Sequence, residues 1–523
     1  MTESSHERTR RGARLVAAGI LASRIVGLVR NWFFARYFGS SIQADAYNTA
    51  SRIPNVMRNL LGEGAISASF VPVYAAALER GDERGAKALA NALLGVLLLG
   101  VSTLTIIGIA LAPFLTSLTG LHEESAALTI KLLRILFPMT GLMVISGWCL
   151  GVQNAHRRFF MSYASAVMWS VPQIALLAVS GSPHTADLDQ LVLLVSWATI
   201  VGSVLQISAQ IPQVLRLMGG SLRPSLALAT AGVRDVLRNF APVVTALGLF
   251  QISSLIDLWI ATNLRAGSVA NLTYATQLYL LPLSLFGVSA AAAALPQMAR
   301  DRESGNTTAL ADGVVKAWEQ ALFYTIPSAV AFIGIGDFIV ALLYETGKFG
   351  VDERTAVHLT LIGFAVGLAA YASSRVIASS YQAVQDYRTL WRSAVVAIAV
   401  STVASLALSL PFRQSDFAVA GIAAGAALGA YVNFSLLIKG VHHHVGPVDA
   451  RGPMRVAVKA SIAALLAVAV TVPVRLGTTH VGVRWRALIV IPLFSAVYLG
   501  AARALGLDEA SRLLAGLRRR IRS

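Results

Sequence analysis

Apolar stretches of about 20 residues, the length that a helix needs to cross the hydrocarbon core of a bilayer, recur along almost the whole chain. They run from Leu15 to Leu505 with few polar segments between them. Of the 523 residues, 56% are hydrophobic and 13% are charged, and the mean hydropathy is +0.66. One soluble core cannot hide so much apolar surface. The sequence therefore predicts an all-α integral membrane protein with about 14 transmembrane helices.

The net charge of +17 would suggest nucleic acid as a partner of a soluble protein, but Lys and Arg lie mainly in short connections between the apolar stretches. Basic residues favour cytoplasmic loops. They precede the first stretch and recur in the loops that follow the even-numbered stretches, whereas the opposite loops at 39–44 and 181–188 are nearly free of them. We therefore expect both termini in the cytoplasm, and no nucleic-acid partner.

The chain repeats itself at a spacing of roughly 224–229 residues. One pair of similar segments is GVQNAHRRF at 151–159 and SYQAVQDYR at 380–388. Six stretches per repeat predict two pseudo-symmetric halves of the same orientation, with a central cavity between them. The predicted regions are a cytoplasmic tail at 1–13, an N-lobe of helices 1–6 at 14–216, a C-lobe of helices 7–12 at 235–440, helices 13 and 14 at 453–505, and a basic cytoplasmic tail at 506–523.

One face of the second apolar stretch is polar along its whole length. Its members occupy an arc of roughly 80° at about 100° per residue, and they extend over roughly 27 Å, close to the hydrocarbon thickness. Contact with lipid would be costly there, so the face must meet protein or water. Six polar residues in register favour a cavity lining over a single buried ion pair. They are Asp45, Asn48, Arg52, Asn55, Asn59 and Glu63.

Arginines on the first two stretches accompany this polar face. Arginine keeps its proton inside proteins, and its guanidinium suits bidentate binding of phosphate and carboxylate oxygens. Arg24, near the middle of its stretch, cannot easily reach the interface, whereas Arg36 could equally be snorkelling there. The charged residues of the predicted cavity are Arg24, Arg30, Arg52, Arg58, Asp45 and Glu63. Since this set is net positive, the implied cargo is anionic.

Enzyme signatures are scarce in the sequence. There is no GxxxxGK[ST], HExxH or GxSxG pattern, which leaves an ATP-driven pump or a membrane metalloprotease without support. The only cysteine, Cys149, lies inside an apolar stretch, and the histidine cluster 442–444 is typical of a solvated loop. We therefore predict a transporter with no catalytic residue, no metal and no cofactor.

The stretch at 23–76, SRIVGLVRNWFFARYFGSSIQADAYNTASRIPNVMRNLLGEGAISASFVPVYAA, resembles the N-terminal signature of the MurJ (MviN) lipid II flippase family. This family belongs to the multidrug/oligosaccharidyl-lipid/polysaccharide exporter superfamily. The resemblance extends over essentially the whole chain. Further matching segments are RILFPMTGL at 134–142, GVQNAHRRFF at 151–160, LYLLPLSLFGVSAAAAALPQMAR at 278–300 and YQAVQDYRT at 381–389.

The resemblance implies two six-helix lobes around a cationic cavity, a groove for the lipid tail formed by the last two helices, and alternating access for the headgroup. The cargo would be lipid II, the lipid-linked peptidoglycan precursor, moved from the inner to the outer leaflet of the bacterial cytoplasmic membrane for cell wall biogenesis and cell shape. The family's cavity residues correspond to Arg24, Arg30, Arg58 and Asp45 of this sequence.

The sequence departs from the family pattern at three places. The usual Arg-Asp pair of helix 1 is Arg30-Asn31, the usual Tyr-Ala-Asp-Arg of helix 8 ends in Gln277, and a usual proline is Leu390. Gln277 supplies hydrogen bonds but no charge. We expect Arg375, roughly 14 Å from the inner end of its helix, to supply the missing positive charge. A structural pair with a polar neighbour is an equally good interpretation of Arg375, and Asp257 is the nearest acidic residue by sequence.

Three other functions stay open on the sequence alone. A related exporter could move another polyprenyl-pyrophosphate-linked glycan, which the arginines would bind equally well. A membrane glycosyltransferase would need acidic residues on a sizeable outer loop, but the predicted outer loops are short. A non-transporting scaffold would not explain a polar face at full membrane depth. Further expected partners are membrane lipids, a coupling ion or the membrane potential, and the peptidoglycan synthesis machinery.

Overall fold

The computed structural model describes residues 5–513 and 515, apart from 122, 221 and 479. These residues form helices and connecting turns, with no strand among them. A π-helical segment, Leu283–Val288, joins α10 to α11. The helices are α1 (Ser5–Phe38), α2 (Ile42–Leu61), α3 (Glu63–Glu79), α4 (Glu83–Ala110), α5 (Ala112–Ser117), α6 (Glu123–Ala155), α7 (Phe159–Val179), α8 (Leu188–Leu217), α9 (Val233–Thr262), α10 (Ser268–Pro282), α11 (Ser289–Glu303), α12 (Thr307–Gly334), α13 (Gly336–Tyr344), α14 (Val351–Ala383), α15 (Tyr387–Ser409), α16 (Phe417–Val445), α17 (Arg451–Gly477) and α18 (Val483–Ala504).

The helices are long and apolar, as the composition predicts. In the described part of the chain, ten stretches could cross a membrane, or eleven if α12 and α13, which meet at a bend of 82°, form one span. Helices α1, α7 and α9 are not among these stretches. The predicted class, an all-α integral membrane protein, is confirmed. The count of about 14 spans stays a prediction.

The turns between helices recur along the chain at spacings within the predicted range. Gly81 and Gly305 both have positive φ, and each is followed by a helix whose first turn is capped by a side chain, from Asp82 and from Asn306. Arg157 and Gln385, with φ of 56° and 59°, end α6 and α14 in the left-handed conformation that is uncommon for residues other than glycine. The same helix order therefore occurs twice.

The loop between α6 and α7 is one of the predicted cytoplasmic loops. His156 in this loop lies 3.0 Å from the Tyr74 hydroxyl. Burial lowers the pKa of His156, so its ring is neutral at pH 7. The positive charge of this loop therefore comes from Arg157 and Arg158.

The chain divides into two compact units, of which the first ends at Thr262 and the second begins at Asn263. In the first unit, α3, α4 and α6 pack around the buried side chains of Phe70, Tyr74 and Trp148. Helix α9, which the sequence prediction assigns to the C-lobe, packs in this unit against α2, α3 and α4. The predicted lobe bounds stay predictions, and the predicted tails at 1–13 and 506–523 lie partly outside the described residues.

In the second unit, α16 packs closely against both α14 and α15 through glycines and other small residues. A Cβ atom at Gly421 would lie 2.5 Å from the Leu408 carbonyl oxygen, and one at Gly429 would lie 2.7 Å from the Ser401 Cβ. On the opposite side, a Cβ at Gly367 of α14 would lie 2.5 Å from the Ala427 Cα. Small residues allow this close approach of helices that lack a hydrophobic drive to associate in lipid. We refer to α14, α15 and α16 as the glycine block.

Candidate functional site

Arg30 on α1 is held against two neighbours in the first unit. Its Nε and Nη2 atoms donate hydrogen bonds of 3.2 and 2.9 Å to the Oδ1 of Asn31. Its guanidinium also lies 4.6 Å from the centre of the Trp169 ring on α7, a favourable cation–π distance. Asparagine accepts these hydrogen bonds without neutralising the charge. Asn31 in place of the usual Asp therefore orients the Arg30 side chain without adding a negative charge beside it.

The other two arginines of α1 have different surroundings. The Arg24 side chain is exposed on the first unit. Arg36 is half-buried, and its guanidinium lies 5.7 Å from the ring of Trp32 one turn earlier. This contact within one helix suits an anchoring side chain near the interface.

The predicted polar face lies on α2 as far as Asn59. The helix starts at the N-cap Ser41, whose hydroxyl accepts a hydrogen bond from the Ala44 amide, and it continues through Pro54. It is interrupted at Gly62, where a Cβ atom would lie 2.5 Å from the Arg58 carbonyl oxygen. Glu63 therefore belongs to α3, and its side chain lies outside the described residues.

Exposure changes along the face in the direction of the chain. Asp45 is buried, with 5% of its surface exposed, while Arg52, Asn55 and Arg58 are half-buried and Asn59 is exposed. This change from buried to exposed is typical of a helix that lines a cavity, with the cavity open toward the C-terminal end of α2.

The middle of the face carries polar atoms that lack hydrogen-bond partners in the described part of the chain. They are Asn48 Nδ2, Thr49 Oγ1, Arg52 Nε and Asn55 Oδ1, all buried. Buried polar groups are normally hydrogen-bonded, because leaving one unpaired costs about 1–3 kcal/mol. Four such atoms within two turns distinguish this segment from a helix whose polar groups serve only packing.

Asp257 on α9 adds a negative charge near this segment, and no sequence pattern connects it with Arg52. The two charged side chains interact electrostatically across the contact between α2 and α9. Asp257 and Arg52 are separated by roughly two hundred residues, and no motif joins them. Trp169 was missed for the same reason. The only available signal was the rarity of a carboxylate inside an apolar stretch.

In the second unit, Gln277 and Arg375 lie half-buried on helices that pack together, α10 and α14. The Arg375 Nη2 donates a hydrogen bond of 2.8 Å to the Tyr371 hydroxyl, and its guanidinium lies 5.2 Å from the centre of the same ring. The ring of Tyr279 on α10 contacts the Tyr371 ring at a distance of 6.3 Å between ring centres. Arg375 is therefore oriented by an aromatic pair, and its role as replacement for the helix 8 arginine stays a prediction.

A family model described as "Lipid II flippase MurJ" matches residues 34–491. The chain belongs to this family. The match contains α2 with its polar face, Asp257 and Arg375, and the family resemblance noted for the sequence is thereby confirmed.

Curated relatives cover most of the chain. A lipid II flippase MurJ of Burkholderia cenocepacia is 32% identical over 82% of this chain and 83% of its own length. A probable lipid II flippase MurJ of Rhizobium meliloti is 31% identical over 87% of this chain and 85% of its own length.

Solved structures share the fold. A lipid II flippase MurJ in an inward closed conformation has a TM-score of 0.77 at 23% identity, covering 94% of this chain and 99% of its own. An inward-facing multidrug resistance transporter of the MATE family and the MOP superfamily has a TM-score of 0.66 at 17% identity, covering 83% of this chain and 95% of its own. These likenesses show that the chain shares this fold.

Proposed function

We propose that this chain is a flippase that moves lipid II from the inner to the outer leaflet of the bacterial cytoplasmic membrane by alternating access. The family match over residues 34–491 carries the proposal, and relatives that are named as lipid II flippases support it. The chain is a transporter and not an enzyme. The membrane glycosyltransferase considered from the sequence therefore has no support.

The proposed cargo and the cationic side chains have matching chemistry. The pyrophosphate and peptide carboxylates of lipid II are anionic, and Arg24, Arg30, Arg52 and Arg58 are cationic at any pH of a living cell. Charge-assisted hydrogen bonds from guanidinium groups would hold the headgroup, while the carboxamides of Asn55 and Asn59 would bind its neutral sugar and peptide groups. The role of each of these residues, and of Asp45 and Glu63, is part of the proposal.

An apolar cavity in the second unit suits the polyprenyl tail. Its volume is about 500 Å³, and its walls come from helices α10, α12, α13 and α18 and from the π-helical segment Leu283–Val288. The Tyr498 hydroxyl on α18 donates a 2.6 Å hydrogen bond to the Phe323 carbonyl, which fixes the wall of the cavity near the end of α18. Its lining includes Leu278, Pro282, Phe286, Phe323, Phe494 and Tyr498. We propose that the tail lies along this surface while the headgroup crosses.

Complementation tests the proposed function. The native flippase of a bacterial host is depleted while this chain is expressed, and growth and lipid II exposure on the outer leaflet are measured. We expect both to be restored. Restored growth without exposed lipid II would contradict the proposal, and so would exposure of a different polyprenyl-linked glycan.

The same assay with the membrane potential or the ion gradients collapsed identifies the energy source, for which we propose a coupling ion or the potential itself.

The proposed orientation, with both termini in the cytoplasm, predicts which positions react with an impermeant thiol reagent. Cysteines at Ser41 and Ser182 should be labelled from outside intact cells, and a cysteine at Ser304 should be labelled only after the membrane is opened. The native Cys149 is buried and gives a low background. The reverse pattern would place the basic loops outside and contradict the direction of export.

A further inference from the structure

Arg52 and Asp257 lie at the same level of the contact between α2 and α9. A Cβ atom at Gly248 would lie 4.0 Å from the Leu60 side chain, so these two residues face each other across the contact. Arg52 lies about 12 Å before Leu60 along the axis of α2. Asp257 lies about 13.5 Å after Gly248 along the axis of α9. These similar distances, taken with the electrostatic interaction of the two side chains, indicate that α2 and α9 run antiparallel with the two charges at about the same level.

The Arg52 and Asp257 side chains attract each other electrostatically but are not in direct contact. In the part of the chain that the structure describes, no hydrogen bond or ion pair within 4 Å joins Arg52 to Asp257, and the Arg52 Nε atom lacks an acceptor. Asn48 and Asn55, one turn to either side, also each have a buried polar atom without a partner. A purely structural ion pair would be expected to satisfy its donors, because unpaired buried groups are costly.

A guanidinium at this depth in a membrane helix needs a negative partner in every state of a transporter, since it does not lose its proton. A pyrophosphate has more charge and more acceptor oxygens than one carboxylate, and it can accept two parallel hydrogen bonds from the guanidinium. The same arginine can therefore exchange a loosely held carboxylate for an incoming anionic headgroup, and take the carboxylate back when the headgroup leaves.

We propose that Asp257 is a positioning residue that holds Arg52 at the contact between α2 and α9 when no cargo is bound, and that the anionic headgroup of the cargo displaces it. This inference rests on the proposed function. Asp257 then competes with the cargo for Arg52 during binding and helps to release the cargo by recovering Arg52 afterwards. Removing the carboxylate should therefore strengthen cargo binding and slow cargo release.

The test measures lipid II binding to the purified full chain and lipid II flipping in reconstituted vesicles. Asp257→Asn should bind lipid II about tenfold more tightly, since the competing charge is gone, and should flip it more slowly, since release is impaired. Arg52→Gln should bind it about tenfold more weakly. In the double variant, the effect of Asp257→Asn should disappear, because its target is absent.

Two further variants serve as controls. Asp257→Glu keeps the charge and should restore binding and flipping. Glu345→Gln removes a carboxylate from another part of the chain, one that lies 2.6 Å from Arg354, and should leave lipid II binding unchanged. If a monodisperse Asp257→Asn variant binds lipid II no more tightly than the unmodified chain, the competition does not exist and the inference is wrong. An effect of Asp257→Asn that persists in the Arg52→Gln background would also overturn it. Failure of the unmodified chain to bind or flip lipid II would instead contradict the proposed function.

Discussion

Replacing Arg58 by alanine is expected to reduce flipping by about tenfold to a hundredfold while leaving membrane insertion intact. An anionic headgroup would lose a charge-assisted hydrogen bond worth about 1.5–3 kcal/mol. Insertion should tolerate the change, because removing a charge from the membrane relieves a burial cost. Arg24→Ala and Arg52→Ala should impair transport for the same reason. Reconstituted vesicles with a matched amount of inserted protein measure the effect.

Arg36→Ala is the matched control for these variants. It also removes one positive charge, from α1. The Arg36 guanidinium lies 5.7 Å from the Trp32 ring of its own helix and is expected to anchor the helix near the interface. Its effect should be clearly milder. Normal flipping by both the Arg24 and the Arg58 variants would remove the basis for an anion-binding cavity.

Replacing Arg375 by glutamine is expected to abolish flipping, because the C-terminal half then lacks the cationic group that we assign to its part of the transport path. Adding Gln277→Arg should restore part of the activity, since α10 and α14 pack together and either position places one positive charge in the same unit. Complementation and vesicle flipping measure both variants. Normal flipping by Arg375→Gln would mean that the arginines of the N-terminal half suffice.

A Tyr371 variant distinguishes the contribution of the Arg375 charge from that of its side-chain orientation. The Tyr371 hydroxyl accepts the 2.8 Å hydrogen bond from Arg375, and the ring contributes the cation–π contact. Tyr371→Phe keeps the ring and removes the acceptor, so it should reduce flipping less than Arg375→Gln does. Equal loss in both variants would indicate that flipping requires the hydrogen bond from Arg375 to Tyr371 and not the positive charge alone.

The fold class followed from the sequence because the length of apolar stretches is set by the bilayer. The repeat could also be found, because its turns retain recognisable residues such as the helix caps Asp82 and Asn306. The polar face of α2 was predictable as far as Asn59, where helical periodicity holds. The interruption at Gly62 was not, since a single glycine inside an apolar stretch is compatible with a continuous helix as well as with a broken one.

The neighbours of the charged residues could not be found from the sequence. Trp169 packs over Arg30 and Asp257 interacts with Arg52 only because α7 and α9 lie beside α1 and α2, and a helix pattern in one chain does not determine which helices are adjacent. The individual roles of the cavity residues, the lobe bounds and the count of about 14 spans remain predictions.

The glycine block has a mechanical consequence for the second unit. Helices that touch backbone to backbone cannot slide by one turn without driving the Cβ atoms of intervening residues into the partner helix. Helices α14, α15 and α16 must therefore move as one rigid body, and Arg375, which lies on α14, moves with them. Any internal deformation of this unit has to be absorbed by neighbouring segments, such as the π-helical turn Leu283–Val288, which contacts α14 and has a wider hydrogen-bond spacing than an α-helix.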